Sequence, residues 1–311
     1  MVHTELRGVL VTFRRPLDLA QTMRRLADQT RLLDSLVVVD NDNDPRVAEI
    51  VATSSAATNV IYLPAPENLG PAGGLALGMT RVLRIGDNGW VVLLDDDDPP
   101  RTDEMLAEIA SFADEMLRLD PSVAGVGLVG ARFDIQAART VRIEDHELHG
   151  PVVVDYIGGG QLPCYRAAVM REVGVPEASL FFGFDDLEYG LRLKAAGHPL
   201  YIDGGTCLRE RQVKGLIGID RQPRRQLGSI NWRNYYTTRN LIWILRTNGH
   251  HGTAVRVVAH RVLAKGLYNL RSDPGGAWAH SVMGMRAALD AYTGRMGRTV
   301  EPAALDAPVK G

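Results

Sequence analysis

The chain has 311 residues, 45% of them hydrophobic, and balances 35 Lys and Arg against 37 Asp and Glu. A net charge of −2 provides no global field for nucleic acid or an anionic membrane. Two cysteines without C-x-x-C spacing, Cys164 and Cys207, argue against a disulfide framework or a thiolate metal site and suit a reducing cytoplasm. The opening MVHTELRGVLVTF lacks the pattern of a signal peptide, and no uncharged apolar run reaches the roughly 20 residues that span a bilayer.

Short apolar runs alternate with helical patterns through the first two hundred residues. Strands are predicted at 8–12 (GVLVT), 36–39 (LVVV), 60–63 and 90–94, and helices at 17–29 and 75–83. A further helix should run from an N-cap at Thr102, with Asp103 and Glu104 in its first turn, to about Leu119. Continuous apolar runs, rather than strict alternation, imply strands covered on both faces, hence an α/β fold with a mostly parallel sheet flanked by helices. The first domain is expected over 1–215. Residues 216–311 should form a C-terminal helical extension, led by a mobile basic loop over 211–229. Helix is expected over 230–292, followed by a frayed tail from Gly294.

The stretch VVLLDDDDPP (91–100) runs a buried strand into four carboxylates. Carboxylates about 4 Å apart repel by roughly 1 kcal/mol in water and roughly 4 kcal/mol at an effective dielectric of 20. A divalent cation removes that penalty, and oxygen ligands select Mg²⁺ or Mn²⁺. Alternate side chains of an extended segment share a face, so Asp95 and Asp97 are placed to grip one ion. A solvated acidic turn is the competing reading. Pro100 stands where a calcium-binding loop needs glycine.

From this motif the sequence resembles the family 2 glycosyltransferases, inverting enzymes of the GT-A fold whose metal-binding DXD motif ends the fourth strand. It is similar in particular to the bacterial galactofuranosyltransferases and their rhamnosyltransferase relatives. Three segments carry the resemblance: NLGPAGGLALGM (68–79), LFFGFDDLEYGLRLKAAGHPLYIDGGTCLRE (180–210) and NWRNYYTTRN (231–240). It implies a nucleotide-sugar donor, UDP-galactofuranose or, as an alternative, dTDP-rhamnose. The implied acceptor is a glycan, a lipid-linked saccharide or a glycosylated small molecule. A nucleotide-binding module without catalysis is the contrasting reading.

The resemblance places the general base at Asp186, with Asp185 as the N-cap of a helix over 186–196 that Gly197 and Pro199 end; Glu188 then completes a capping box. Thr12, Arg14 and Asp40 fall where relatives contact the nucleobase and ribose, and Asp96 lies inside the DXD motif. Asn68, Gly73 and Gly74 bring backbone close to the donor at a helix N-terminus; a plain tight turn explains the glycines equally well. In the galactofuranosyltransferases a metal-binding histidine stands where this chain has Glu210, either an altered metal ligand or a surface acid. Residues 230–246 put Trp232, Tyr235, Tyr236, Arg239 and Trp243 on one helix face, where Arg239 needs the donor diphosphate or an acid of the fold as its partner. Residues 254–271 are basic and amphipathic, which suits a peripheral helix at the inner membrane surface or a helix packed on the catalytic domain.

Overall fold

The computed structural model describes residues 4–158, 162–218, 232–264 and 274–301. The basic segment beyond Gly218, the Gly159-Gly160 pair, the 265–271 end of the basic amphipathic stretch and the tail beyond Glu301 lie outside them. The chain divides into two compact units. One takes Met1–Arg132, Val141–Ala178 and Asp186–Asp220; the other takes Phe133–Thr140, Ser179–Asp185 and Arg221–Gly311. The second unit thus recruits two segments from within the first part of the chain.

The first unit opens with β1 (Leu6–Thr12), α1 (Pro16–Ala27), β2 (Ser35–Asp40), α2 (Pro45–Ala52), β3 (Val60–Pro64), α3 (Gly70–Ile85), β4 (Trp90–Asp95) and α4 (Met105–Leu119). Proline sits in the first turn of α1, α2 and α3, where its missing N–H costs nothing. All six residues of β2 are buried, as a strand with helices on both faces requires. The four strands pair in parallel as β3-β2-β1-β4, with Thr12 opposite Asp40 and Val11 opposite Asp95. The carboxyl ends of β1, β2 and β4 are therefore level.

Helix α4 begins two residues later than expected, with Glu104 at the N-cap position. Arg25 Nη2 donates to the Arg101 carbonyl (2.7 Å), Gln29 Nε2 donates to the Thr102 carbonyl (2.8 Å), and the Asp103 carbonyl takes the Thr30 N–H (2.8 Å). Carbonyls committed to α1 and the turn after it hold residues 101–104 in bends and a turn, so Thr102 is not the helix cap.

The chain continues with β5 (Gly125–Gly127), β6 (Gly130–Asp134), β7 (Arg139–Val141), β8 (Pro151–Val154), β9 (Tyr156–Ile157), β10 (Cys164–Arg166), α5 (Ala167–Val173), α6 (Asp185–Ala195), β11 (Leu200–Asp203) and α7 (Gly204–Val213). These complete an eight-stranded sheet, β3-β2-β1-β4-β10-β5-β11-β8, with β10 and β8 antiparallel to their neighbours. β7, β6 and β9 form a small separate sheet. Arg211, expected in a mobile loop, lies in α7 and donates to the Ile143 carbonyl (2.7 Å) and to Asp145.

The second unit centres on α8 (Trp232–Thr247), α9 (His251–Val258), a π-helical turn (Ala259–Ala264) and α10 (Pro274–Thr293). Phe181, Tyr235, Tyr236 and Ala287 form its core. The segment after Gly294 is tied down through Val300: the Gly297 N–H donates to the Ser179 carbonyl (2.6 Å), and Tyr236 Oη donates to the Val300 carbonyl (2.6 Å). The frayed tail expected from Gly294 is thus packed as far as Val300. Within 254–264, Ala254 and Val257 face the core of this unit, so the described part of the basic amphipathic stretch is a packed helix.

Candidate active site

The four carboxylates after β4 divide by the pleat of the chain. Asp95 and Asp97 are exposed, whereas Asp96 turns inward. Asp96 accepts from Thr12 Oγ1 (2.8 Å) and Arg15 Nη1 (3.2 Å), and its carbonyl takes the Thr22 hydroxyl (2.8 Å). Burial pushes the Asp96 carboxyl up, against the pull of the Thr12 and Arg15 contacts. Asp96 and the buried Thr12 therefore pin the end of β4 to the end of β1, and neither offers its side chain to a ligand. Arg15 also pairs with Asp97, and Arg101 Nη2 lies 3.9 Å from Asp98.

Glu210, the third expected metal ligand, is held elsewhere. It projects from α7 into an ion pair with Arg101, with Lys214 Nζ at 3.7 Å. Among the described residues no three His, Cys, Asp or Glu side chains assemble into a metal-holding group. Asp95, Asp97 and Glu210 thus do not form a ready-made triad. Two exposed carboxylates still fit the habit of Mg²⁺ and Mn²⁺ sites that use one or two protein carboxylates and complete the shell with substrate phosphates.

At the end of β2 the more accessible acid is Asp42, not Asp40. The Asp40 carboxylate is fully buried and accepts the Asp42 and Asn43 N–H groups (both 3.1 Å) and the Tyr62 hydroxyl (2.8 Å). Burial and this bond push Tyr62 up to about 12. Asp42 is half-buried, takes the Arg14 N–H at 3.3 Å and lies 3.9 Å from its guanidinium. Burial raises the Asp42 carboxyl, and the Arg14 N–H partly offsets it. Arg14 has φ of 58°, a left-handed conformation uncommon for a residue with a Cβ and found disproportionately at functional sites. The DND spacing contained this signal; what decides it is which carboxylate the turn folds inward.

Asn68 Oδ1 accepts the Gly70 N–H (2.9 Å) and so closes the turn into α3. The glycines of α3 answer to packing. A Cβ on Gly74 would lie 2.6 Å from a Val11 methyl, and one on Gly73 would lie 2.7 Å from the Leu69 Cβ. At Gly74, then, α3 lies so close to β1 that a larger residue would force a shift, whereas at Gly73 the crowding comes from Leu69 at the helix's own start.

The FFGFDD run is backbone-strained. Phe181, Gly183 and Phe184 all have positive φ (62°, 78° and 64°), and α6 begins at once with Asp185. Asp186 is half-buried, with the Leu187 N–H donating to its Oδ1 at 2.7 Å. Glu188 is buried and takes the Glu177 N–H (3.1 Å) and a fork from Arg192 (2.7 and 3.2 Å), so its carboxylate faces the core. Gly197, with φ of 87°, ends the helix as expected.

Arg239 and Asn240 explain the NWRNYYTTRN motif. Arg239 is fully buried, and carbonyls and an amide take up its N–H groups. Its Nη atoms donate to the carbonyls of Gly297 (2.7 Å) and Leu180 (2.8 Å), and its Nε to Asn240 (3.0 Å). The guanidinium also stacks on Tyr236, 4.9 Å from the ring centre. Asn240 Nδ2 reaches the carbonyls of Leu180, Phe182 and Gly183 (3.0, 3.0 and 2.8 Å). The two side chains clamp the loop that leads into Asp185 and Asp186. The expectation of Arg239 as a donor contact is therefore replaced by a positioning role; Asn240 went unnoticed because a buried amide carries no periodic signal.

Residues 9–133 match the family description "Glycosyl transferase family 2". The galactofuranosyltransferase GlfT1 of Mycobacterium tuberculosis is 32% identical over 295 residues, covering 87% of this chain and 91% of that protein. Its counterpart from Mycolicibacterium smegmatis is 34% identical over 223 residues, covering 67% and 70%. The chain belongs to glycosyltransferase family 2 and is an enzyme of that class. Relatives within the class include the GlfT1 galactofuranosyltransferases, and an enzyme of that class removes the non-catalytic alternative. The fold is also that of the mannosyltransferase PcManGT from Pyrobaculum calidifontis in complex with GDP-Man and Mn²⁺ (TM-score 0.52, 14% identity, 94% of this chain and 88% of that one). GalNAc-T7 with UDP, GalNAc and Mn²⁺ shares it as well (TM-score 0.54, 12% identity, 91% and 55%).

Proposed function

We propose that the chain is an inverting, metal-assisted galactofuranosyltransferase that takes its sugar from UDP-galactofuranose. The observation that carries this reading is the division of the DDDD run: Asp95 and Asp97 outward, Asp96 and Thr12 spent on holding the two strand ends together. Similarity to GlfT1 over most of the chain supports galactofuranose over rhamnose. Asp95 and Asp97 would hold Mn²⁺ or Mg²⁺, which when bound neutralises the charge developing on a departing diphosphate. Arg14 and Asp42 would face the nucleoside, and Asn68 shapes the turn beside it. Asp186 accepts the proton of the acceptor hydroxyl as that oxygen bonds to the anomeric carbon and the carbon–diphosphate bond breaks. The acceptor is a glycan, a lipid-linked saccharide or a glycosylated small molecule; no nucleic acid is involved. No described helix is long and apolar enough to cross a membrane.

Thermal unfolding with UDP, dTDP and GDP, each with and without Mn²⁺, tests the donor. A ligand at 100 times its dissociation constant stabilises by about 2.7 kcal/mol. A manganese-dependent rise with UDP, abolished in the Asp95→Asn and Asp97→Asn proteins, is expected. A rise with dTDP alone transfers the reading to dTDP-rhamnose, and no rise with any nucleotide overturns it. Full transfer by a folded Asp186→Asn protein would remove the assigned base.

A further inference from the structure

Arg15 stands at a position that helix chemistry disfavours. It is the N-cap residue of α1, where Ser, Thr, Asp or Asn ordinarily satisfies the free N–H groups and where the helix dipole opposes a cation. Its side chain makes no capping bond. The backbone around it is fixed: Arg14 before it is left-handed, with φ of 58°, and Pro16 after it opens the helix. Held at its root, Arg15 sends Nη1 across to the end of β4, where it donates to Asp96 (3.2 Å) and to Asp97.

The two acceptors differ. Asp96 is buried and has Thr12 as a second partner, so it stays where it is. The Asp97 side chain is 49% exposed and that of Arg15 48%, and an exposed ion pair of this kind holds weakly. A strap between α1 and β4 would need only Asp96. The further bond to Asp97 gives the Asp95–Asp98 run a counter-charge of the chain's own, and so offsets the repulsion among neighbouring carboxylates. Asp97 is also one of the two outward carboxylates assigned above to a divalent cation. A guanidinium and a metal ion therefore claim the same carboxylate.

We propose that Arg15 is the resident counter-cation of the carboxylate run, holding Asp97 until metal and nucleotide arrive together and then exchanging it for the diphosphate. A diphosphate presents paired oxygens that match the guanidinium fork, a better partner than one exposed carboxylate. The exchange couples the two ligands. Metal alone competes with Arg15 for Asp97, and nucleotide that draws Arg15 away removes that competition, so each strengthens the other's binding by the same factor. The inference rests on the donor reading above and adds to it a regulation of the same site: weak metal binding alone, strong binding of the pair.

Calorimetric titration of Mn²⁺ into the full-length protein, with and without UDP, is the test. The Arg15→Gln protein should bind Mn²⁺ alone about threefold or more tighter than wild type, the scale of one exposed ion pair. UDP should then raise its Mn²⁺ affinity by a smaller factor than it does in wild type. Arg14→Gln removes a neighbouring charge that lies against Asp42 instead, and should give no such gain. Equal gains from both variants, or metal binding and UDP coupling unchanged in Arg15→Gln, overturn the proposal and leave the donor reading standing. Absence of Mn²⁺ binding by all of these proteins, with UDP or without, overturns both. Should Arg15→Gln fail to fold, Arg15→Met, which keeps the apolar stem, carries the same comparison.

Discussion

Arg101 forms an ion pair with Glu210 while its other Nη atom lies 3.9 Å from Asp98. One guanidinium thus stands between the DDDD run and the residue that takes the place of a metal-binding histidine in related enzymes. Glu210 does not burden the diphosphate region with a bare negative charge, because Arg101 and Lys214 already balance it. The Glu210→Gln protein should therefore bind Mn²⁺ in the presence of UDP within about twofold of wild type, since both partners of the broken pair are partly solvated and such pairs contribute about 0–1 kcal/mol. Calorimetric titration decides: a tenfold or larger loss would make Glu210 a ligand.

The clamp on the loop before Asp185 should be costly to remove. Asn240→Ala takes the amide donor from the Phe182 and Gly183 carbonyls, while the Leu180 carbonyl keeps its bond from Arg239, and an unmet buried polar group costs about 1–3 kcal/mol, less where water or local movement compensates. We expect a lower unfolding midpoint, by on the order of 2–4 °C per kcal/mol. Transfer should fall mainly in kcat, because the loop sets where Asp186 stands. Arg239→Lys should not substitute, as a single ammonium cannot reproduce the planar fork. An Asn240→Ala protein with wild-type midpoint and turnover would show the clamp to be idle.

Gly74→Ala tests the close approach of α3. The new methyl would lie 2.6 Å from a Val11 side-chain carbon and 3.0 Å from Asn41 Nδ2. Overpacking of this kind costs about 1–3 kcal/mol. Chemical denaturation should show that loss, with no fall in UDP affinity beyond what misplacement of Asn41 causes. Neutral stability would mean that the helix rides freely on the sheet.

Tyr62 and Asp40 give a pH signature. The folded-state value of Tyr62 is raised to about 12, above the usual tyrosine value of about 10. A raised folded value contributes stability that is fully present below the unfolded value and is lost as pH rises through the folded one. The wild type should therefore exceed Tyr62→Phe by about 1 kcal/mol at pH 8, the worth of one hydrogen bond. That margin should shrink between about pH 10 and 12. Denaturation of both proteins across that range is the measurement, and a constant margin would contradict the assignment.

Much of the site was legible in the chain because it depends on local pattern. Continuous apolar runs at 36–39 and 90–94 announce strands covered on both faces, and strand ends in such sheets are where ligands bind. The alternation that turns Asp96 away from Asp95 and Asp97 is equally local. Two departures arose where a residue's partner is distant along the chain. Arg239 sits on an aromatic stripe whose geometry the sequence predicts, yet its acceptors are at 180 and 297, and only folding brings those carbonyls to it. Glu210 meets Arg101 across 109 positions.

By itself, then, the sequence determined the α/β class, the carboxylates at the ends of β2 and β4 and the DD pair at the start of α6, because strand and helix periods are written in neighbouring residues. Only the tertiary structure decided that Asp42 rather than Asp40 stays accessible, that Gly74 serves packing and that Arg239 and Asn240 clamp a strained loop. Each of those depends on which group fills the space beside it, and close packing and hydrogen-bond pairing across the fold are properties of juxtaposition, not of order along the chain.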